Sequence, residues 1–156
     1  MRLHVASPGN LAHPGAIAWA NDLYARSQRI LPIQRHAGRE ARRSKGGLDA
    51  AARSRESAAL LALLPQGAHG VALEPGGRAL DSDRFYAWLI GLAETGCKDV
   101  CFFIGGPDGL DQSVRNACRD SLSLSPMVLP HELCEVVLLE QIYRALTRWK
   151  NLPYHR

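Results

Sequence analysis

Five apolar residues without alternation, Val100-Cys101-Phe102-Phe103-Ile104, run straight into Gly105-Gly106-Pro107-Asp108-Gly109. A strand with one wet face alternates. A strand that does not alternate is buried on both faces, as in a parallel sheet layered between helices. Ligands of such sheets bind beyond the carboxyl ends of the strands, where glycine lets the backbone come close to them. The glycine loop matches neither the dinucleotide fingerprint nor a lysine-bearing phosphate loop. Alone it marks a turn, on the side where a ligand would sit.

The flanking sequence supplies the helices. Leu3 to Ala6 reads as a first strand and Ser7-Pro8-Gly9-Asn10 as a turn. A helix follows with Pro14 in its first turn and Ile17, Ala20, Leu23, Tyr24 and Ser27 on its apolar side. A short strand is expected over Ile30 to Gln34, and an Ala/Leu-rich helix over Leu48 to Leu64. Val71-Ala72-Leu73 reads as another strand, turned by Glu74-Pro75-Gly76-Gly77. Asp81 or Ser82 can cap a helix bearing Phe85, Trp88, Leu89 and Leu92, which Gly96 stops. A helix over Gln112 to Asp120 and an unassigned stretch from Ser121 to Pro130 precede a last helix, His131 to Trp149. The apolar arc of that helix is wider than a surface stripe. It suits either a central helix of the monomer or one buried at a subunit interface. The expected fold class is α/β, a mostly parallel sheet with helices on both faces.

With 156 residues and 46% hydrophobic content, the chain makes one domain, 1–156, large enough for a single core. No apolar run is long enough to span a membrane, and the first residues lack a signal-peptide core, so a cytoplasmic protein is expected. Cys97, Cys101, Cys118 and Cys134 form no CxxC pair and read as reduced thiols rather than metal ligands. No serine sits in a nucleophile elbow. His131, after Pro130, reads as structural before catalytic. No metal is expected. The net charge is +4, and nine of the 19 Lys and Arg fall between Arg26 and Arg55. Arg35, Arg39, Arg42, Arg43 and Lys45 occupy a polar stretch, residues 35–47, that reads as a long mobile loop. Such a patch suits a polyanion like RNA, because each neutralised phosphate releases counterions. A merely solvated loop would look the same.

Four blocks occur in a fixed order: Phe103 to Leu110 (FIGGPDGL), Leu122 to His131 (LSLSPMVLPH), Val137 to Ala145 (VLLEQIYRA) and Pro153 to Arg156 (PYHR). Together they resemble the RlmH family, SPOUT-class methyltransferases of pseudouridine N3 in large-subunit ribosomal RNA. The resemblance covers nearly the whole chain and is strongest from Leu73 onward. It implies a C-terminal trefoil knot, a homodimer and S-adenosyl-L-methionine as donor. The donor would be held at Leu73, Gly105 and the run Leu124, Ser125, Pro126, Met127, Val128 and Leu129. It implies 23S rRNA within the ribosome as partner, with helix 69 as target. The tail residues Tyr154, His155 and Arg156 would act catalytically, across the dimer. Two readings compete: a SPOUT enzyme for another rRNA or tRNA nucleotide, and a ribosome-binding factor without catalysis. The chain departs from the family pattern at Glu135, where a basic residue is usual, and at Ala6 to Asn10, which replaces the usual turn.

Overall fold

The computed structural model describes residues 1–38 and 49–154. Five strands, β1 (Arg2–Pro8), β2 (Ile33–Gly38), β3 (His69–Ala79), β4 (Asp99–Ile104) and β5 (Asp120–Ser123), form one sheet in the order β2-β1-β4-β3-β5. Every pairing is parallel. Five helices are α1 (Pro14–Gln28), α2 (Ala50–Leu61), α3 (Ser82–Glu94), α4 (Gln112–Ala117) and α5 (His131–Trp149).

The non-alternating run is the central strand β4, buried along its full length. Its side chains divide by the two-residue period of a strand. Val100, Phe102 and Ile104 enter a core with Leu3 and Val5 of β1 and with α1, α3 and α5. Cys101 and Phe103 enter a second core with Ala6, Leu60 of α2 and Val114 of α4. Helix α5 buries Val136, Leu138, Leu139, Ile142, Ala145 and Leu146. It is therefore a central helix of the monomer, and Leu133 alone of its large apolar residues is left exposed.

Three of the helices begin at an aspartate cap. Asp49, Asp81 and Asp111 cap α2, α3 and α4 by accepting the N–H groups of Ala52, Arg84 and Ser113. Other boundaries differ. β1 continues through Pro8, so Ser7 is strand rather than turn. β2 starts three residues later than expected and takes in Arg35. α2 is shorter than expected at both ends. Helix α4 stops at Ala117, and the unassigned stretch after it begins with β5. β5 is polar because it lies at the sheet edge, with only Leu122 and Ser123 buried. The turn placed at Glu74 to Gly77 lies inside β3. Leu73 and Arg78 both align with Leu122, and the four residues between them are displaced from the ladder. Gly77 then passes so close to β5 that a Cβ would stand 2.5 Å from the Leu122 carbonyl carbon. Only a residue without a side chain fits there.

Candidate active site

At the carboxyl ends of β3, β4 and β5 lies a cavity of about 590 Å³. It is built where the parallel-sheet rule places a ligand. Leu73 ends the first half of β3, Gly105 follows β4, and Leu124, Ser125, Met127, Val128 and Leu129 follow β5; all seven line the cavity. Of the residues expected to hold a donor, Pro126 alone is not in the wall. Met127 and Val128 are 72% and 84% exposed. Apolar side chains that open to water beside a cavity are available to a ligand.

The walls are shaped by local hydrogen bonds. Ser123 Oγ donates to the Ser125 carbonyl at 2.9 Å, and the Met127 N–H donates to Ser125 Oγ at 3.0 Å. These bonds fix the backbone of the run between β5 and α5. The glycine loop is closed by the Gly109 N–H donating to Gly106 O at 2.9 Å, with Gly109 at φ 75°. A Cβ on Gly105 would stand 2.6 Å from the Gly109 carbonyl carbon. Gly105 is thus required by its own loop as well as by the cavity. His131, read as structural, lines the cavity at the start of α5, as does Cys134. Burial pushes the Cys134 thiol up, and burial first pushes the thiols of Cys101 and Cys118 up to about 12. All four cysteines are free, and burial of these three disfavours the thiolate that a nucleophile needs.

Two cavity residues escaped sequence reading. Glu74 follows Leu73, and Arg115 lies on α4; Arg115 Nε stands 2.7 Å from Glu74 Oε2. Ser121 Oγ donates to Glu74 Oε1 at 2.6 Å. No periodicity or motif signals a pair that meets only through space.

The profile of a family described as predicted SPOUT methyltransferases matches residues 1–155. Proteins named Ribosomal RNA large subunit methyltransferase H from Bordetella petrii and Paracoccus denitrificans are 37% and 38% identical to this chain. Each alignment spans 100% of this chain and 99% of the relative. The protein of that name from Gemmatimonas aurantiaca is 44% identical over 67% of each chain. The chain belongs to the RlmH family of SPOUT methyltransferases.

The two places where a departure from the RlmH pattern is expected meet in the structure. Glu135 is fully buried on α5 and is paired with Arg35 of β2, Nε to Oε1 at 2.6 Å and Nη2 to Oε2 at 3.2 Å. Ser7 Oγ and Tyr24 OH also donate to the carboxylate, each at 3.2 Å. Arg35 further holds Gly9 O and Asn10 Oδ1, each at 3.2 Å. The Glu135 charge is thereby balanced within the fold, and Ser7, Gly9 and Asn10 are tied to α5 through it and Arg35. Burial first, and then the Glu135 carboxylate, push the Tyr24 hydroxyl far above its ordinary range, so it stays a donor. Arg35, expected at the head of a basic loop, has its guanidinium committed to this internal network. Arg39, Arg42, Arg43 and Lys45 lie outside the described residues, as do His155 and Arg156. Tyr154 does not reach the cavity of its own chain. It packs on Tyr143, with ring centroids 4.6 Å apart, and the guanidinium groups of Arg26 and Arg144 lie 5.2 and 5.3 Å from its ring centre. Among the described residues no helix is long and apolar enough to cross a membrane.

Proposed function

We propose that this protein methylates N3 of a pseudouridine in helix 69 of 23S rRNA, acting on assembled ribosomes as a homodimer with S-adenosylmethionine as donor. The observation that carries the reading is the cavity. Leu73, Gly105 and five residues of the Leu124 to Leu129 run come together from three separate strand ends. The apolar side chains of Leu124, Val128 and Leu129 suit the faces of an adenine, and the backbone of the run would read its edge. Bound there, the donor would supply an electrophilic methyl carried on a sulfonium. Methyl transfer needs orientation and the removal of one proton, and no metal or covalent enzyme intermediate. Residues that position peptide groups without a nucleophile fit that requirement.

Several further parts of the reading follow from family membership. The trefoil knot would involve β3 and β5, which approach closely at Gly77 and Leu122. Tyr154, His155 and Arg156 would serve the partner's cavity, where a ring, an imidazole and a guanidinium can stack on a base, carry a proton and pair with phosphate. Tyr154 packs on α5 away from its own cavity, which favours action on a neighbour. The basic segment from Arg39 to Lys45 would hold RNA phosphates, and the protein would work in the cytoplasm, where ribosomes are assembled.

The test is to map N3-methylpseudouridine in rRNA from cells with and without the gene. The mark should vanish from helix 69 in its absence. A mark that persists would break the reading. Removing residues 154–156 should abolish methylation of 70S ribosomes in a single turnover while leaving donor affinity within about twofold. Equal rates with and without the tail would place the catalytic groups elsewhere.

A further inference from the structure

S-adenosylmethionine has three recognisable parts: a nucleoside, a sulfonium and an amino-acid end. The run after β5 and the glycine loop can account for the nucleoside. The amino-acid end is a zwitterion, and its ammonium and carboxylate each need an opposite charge once they leave water. Among the described residues, and apart from His131, the cavity wall holds two charged side chains, Glu74 and Arg115, and they are of opposite sign. The side chains of Glu74 and Arg115 are 20% and 42% exposed, so neither is sealed from the cavity.

From this juxtaposition we infer that Glu74 and Arg115 together form the subsite for the amino-acid end of the donor, Glu74 taking the ammonium and Arg115 the carboxylate. The inference rests on the assignment of the cavity to S-adenosylmethionine. Arg115 spends its Nε on Glu74 Oε2. Its two Nη groups make no other bond among the described residues, and they form the planar edge that grips a carboxylate. Ser121 Oγ, 2.6 Å from Glu74 Oε1, fixes the plane of the Glu74 carboxylate. A zwitterion laid head to tail against this pair makes a ring of four alternating charges.

The experiment compares three ligands by calorimetry on the intact protein: S-adenosylhomocysteine, its decarboxylated analogue, and 5′-methylthioadenosine, which lacks the whole amino-acid end. The wild type should bind S-adenosylhomocysteine about tenfold or more tightly than either of the others, the strength of a charge-assisted contact. Arg115→Ala should bring S-adenosylhomocysteine down to its decarboxylated analogue. Glu74→Gln should also weaken S-adenosylhomocysteine. Both variants should bind 5′-methylthioadenosine as the wild type does, which reports an intact nucleoside site and an intact fold. Equal wild-type affinities, or a preference that survives Arg115→Ala, would overturn the inference while leaving the donor assignment standing. Equal losses for all three ligands would also overturn it, by moving the pair to the nucleoside. Binding of none of the three to the wild type would remove the donor assignment itself, and the subsite with it.

Discussion

Two polar regions flank the first turns of α5, and they are built on opposite plans. On one side is the cavity at the ends of β3, β4 and β5. There Met127, Val128 and the partly exposed Glu74–Arg115 pair stay accessible. On the other side is the network of Glu135, Arg35, Ser7 and Tyr24, in which four donors from three residues converge on one buried carboxylate. A polar group that is saturated has nothing left to offer a ligand, and one that is left open on a concave surface does. Proximity to the strand ends alone would have nominated both regions. Saturation separates the site from its support.

The largest expected effect tests the support. Glu135→Ala leaves the Arg35 guanidinium in the network with no counter-charge. Breaking one side of a buried pair costs about 3–5 kcal/mol. Arg35 is 22% exposed along its side chain and can reach some water, so the lower end of that range is expected in urea unfolding. A double replacement, Glu135→Leu with Arg35→Met, should recover most of the loss, because an apolar pair needs no charge balance. A loss under about 1 kcal/mol for Glu135→Ala would show that the network is not sealed, and the contrast with the cavity would fail.

A smaller effect is expected at the glycines on the cavity side. Gly105→Ala places a methyl 2.6 Å from the backbone of Gly109, and Gly77→Ala one 2.5 Å from that of Leu122. Backbone cannot rotate away as a side chain can, so each should cost about 1–3 kcal/mol by overpacking. The two should differ in binding. Gly105→Ala moves a cavity wall and should weaken S-adenosylhomocysteine about tenfold or more, whereas Gly77 lies outside the wall and its variant should bind within about threefold, if folded. Equal binding losses would mean that the β3–β5 crossing and the glycine loop act as one unit.

These contrasts also explain what could be read from the chain alone. β4 and α5 were legible because burial on both faces writes an unbroken apolar run, and a central helix writes a wide arc. The expectation that Leu73, Gly105 and the run after β5 work together comes from the RlmH motifs rather than from periodicity, and the fold gathers all of them but Pro126 around one cavity. β5 was not legible, since an edge strand of Asp120-Ser121-Leu122-Ser123 carries one buried large residue. Arg35 was read as loop because a charged residue in a basic stretch looks solvated. Its partner stands 100 positions away in the chain. The Glu74–Arg115 pair and the need for glycine at position 77 arise from contacts that the fold creates, and no local pattern encodes them.

The smallest expected effect concerns a third polar cluster, on the β1, β2 and β4 strands. His4 links it, with Nε2 3.0 Å from Asp99 Oδ1 and Nδ1 2.9 Å from His36 Nε2. Arg2 donates to both Asp99 oxygens, at 2.8 and 3.1 Å. This cluster is saturated like the Glu135 network, but it contains groups that titrate. Chiefly through the Arg2 hydrogen bonds, Asp99 is held below its ordinary value of 3.8. Burial, and then the neighbouring His4, hold His36 below its ordinary 6.5. Both groups have the lower pKa in the folded state, so the unfolded chain takes up each proton first. Each contribution is therefore complete above the unfolded value and lost as pH falls through it toward the folded one. The urea midpoint should decline as pH drops below about 6.5, and again below about 4. In His36→Gln the first decline should shrink while the second remains. The measurement is the difference in midpoint between wild type and His36→Gln from about pH 8 to about pH 5, which cancels the other histidines. That difference should change with pH in the direction that favours the variant in acid. A constant difference would mean that His36 takes up its proton equally in both states, so that the cluster, though saturated, does not feel the proton.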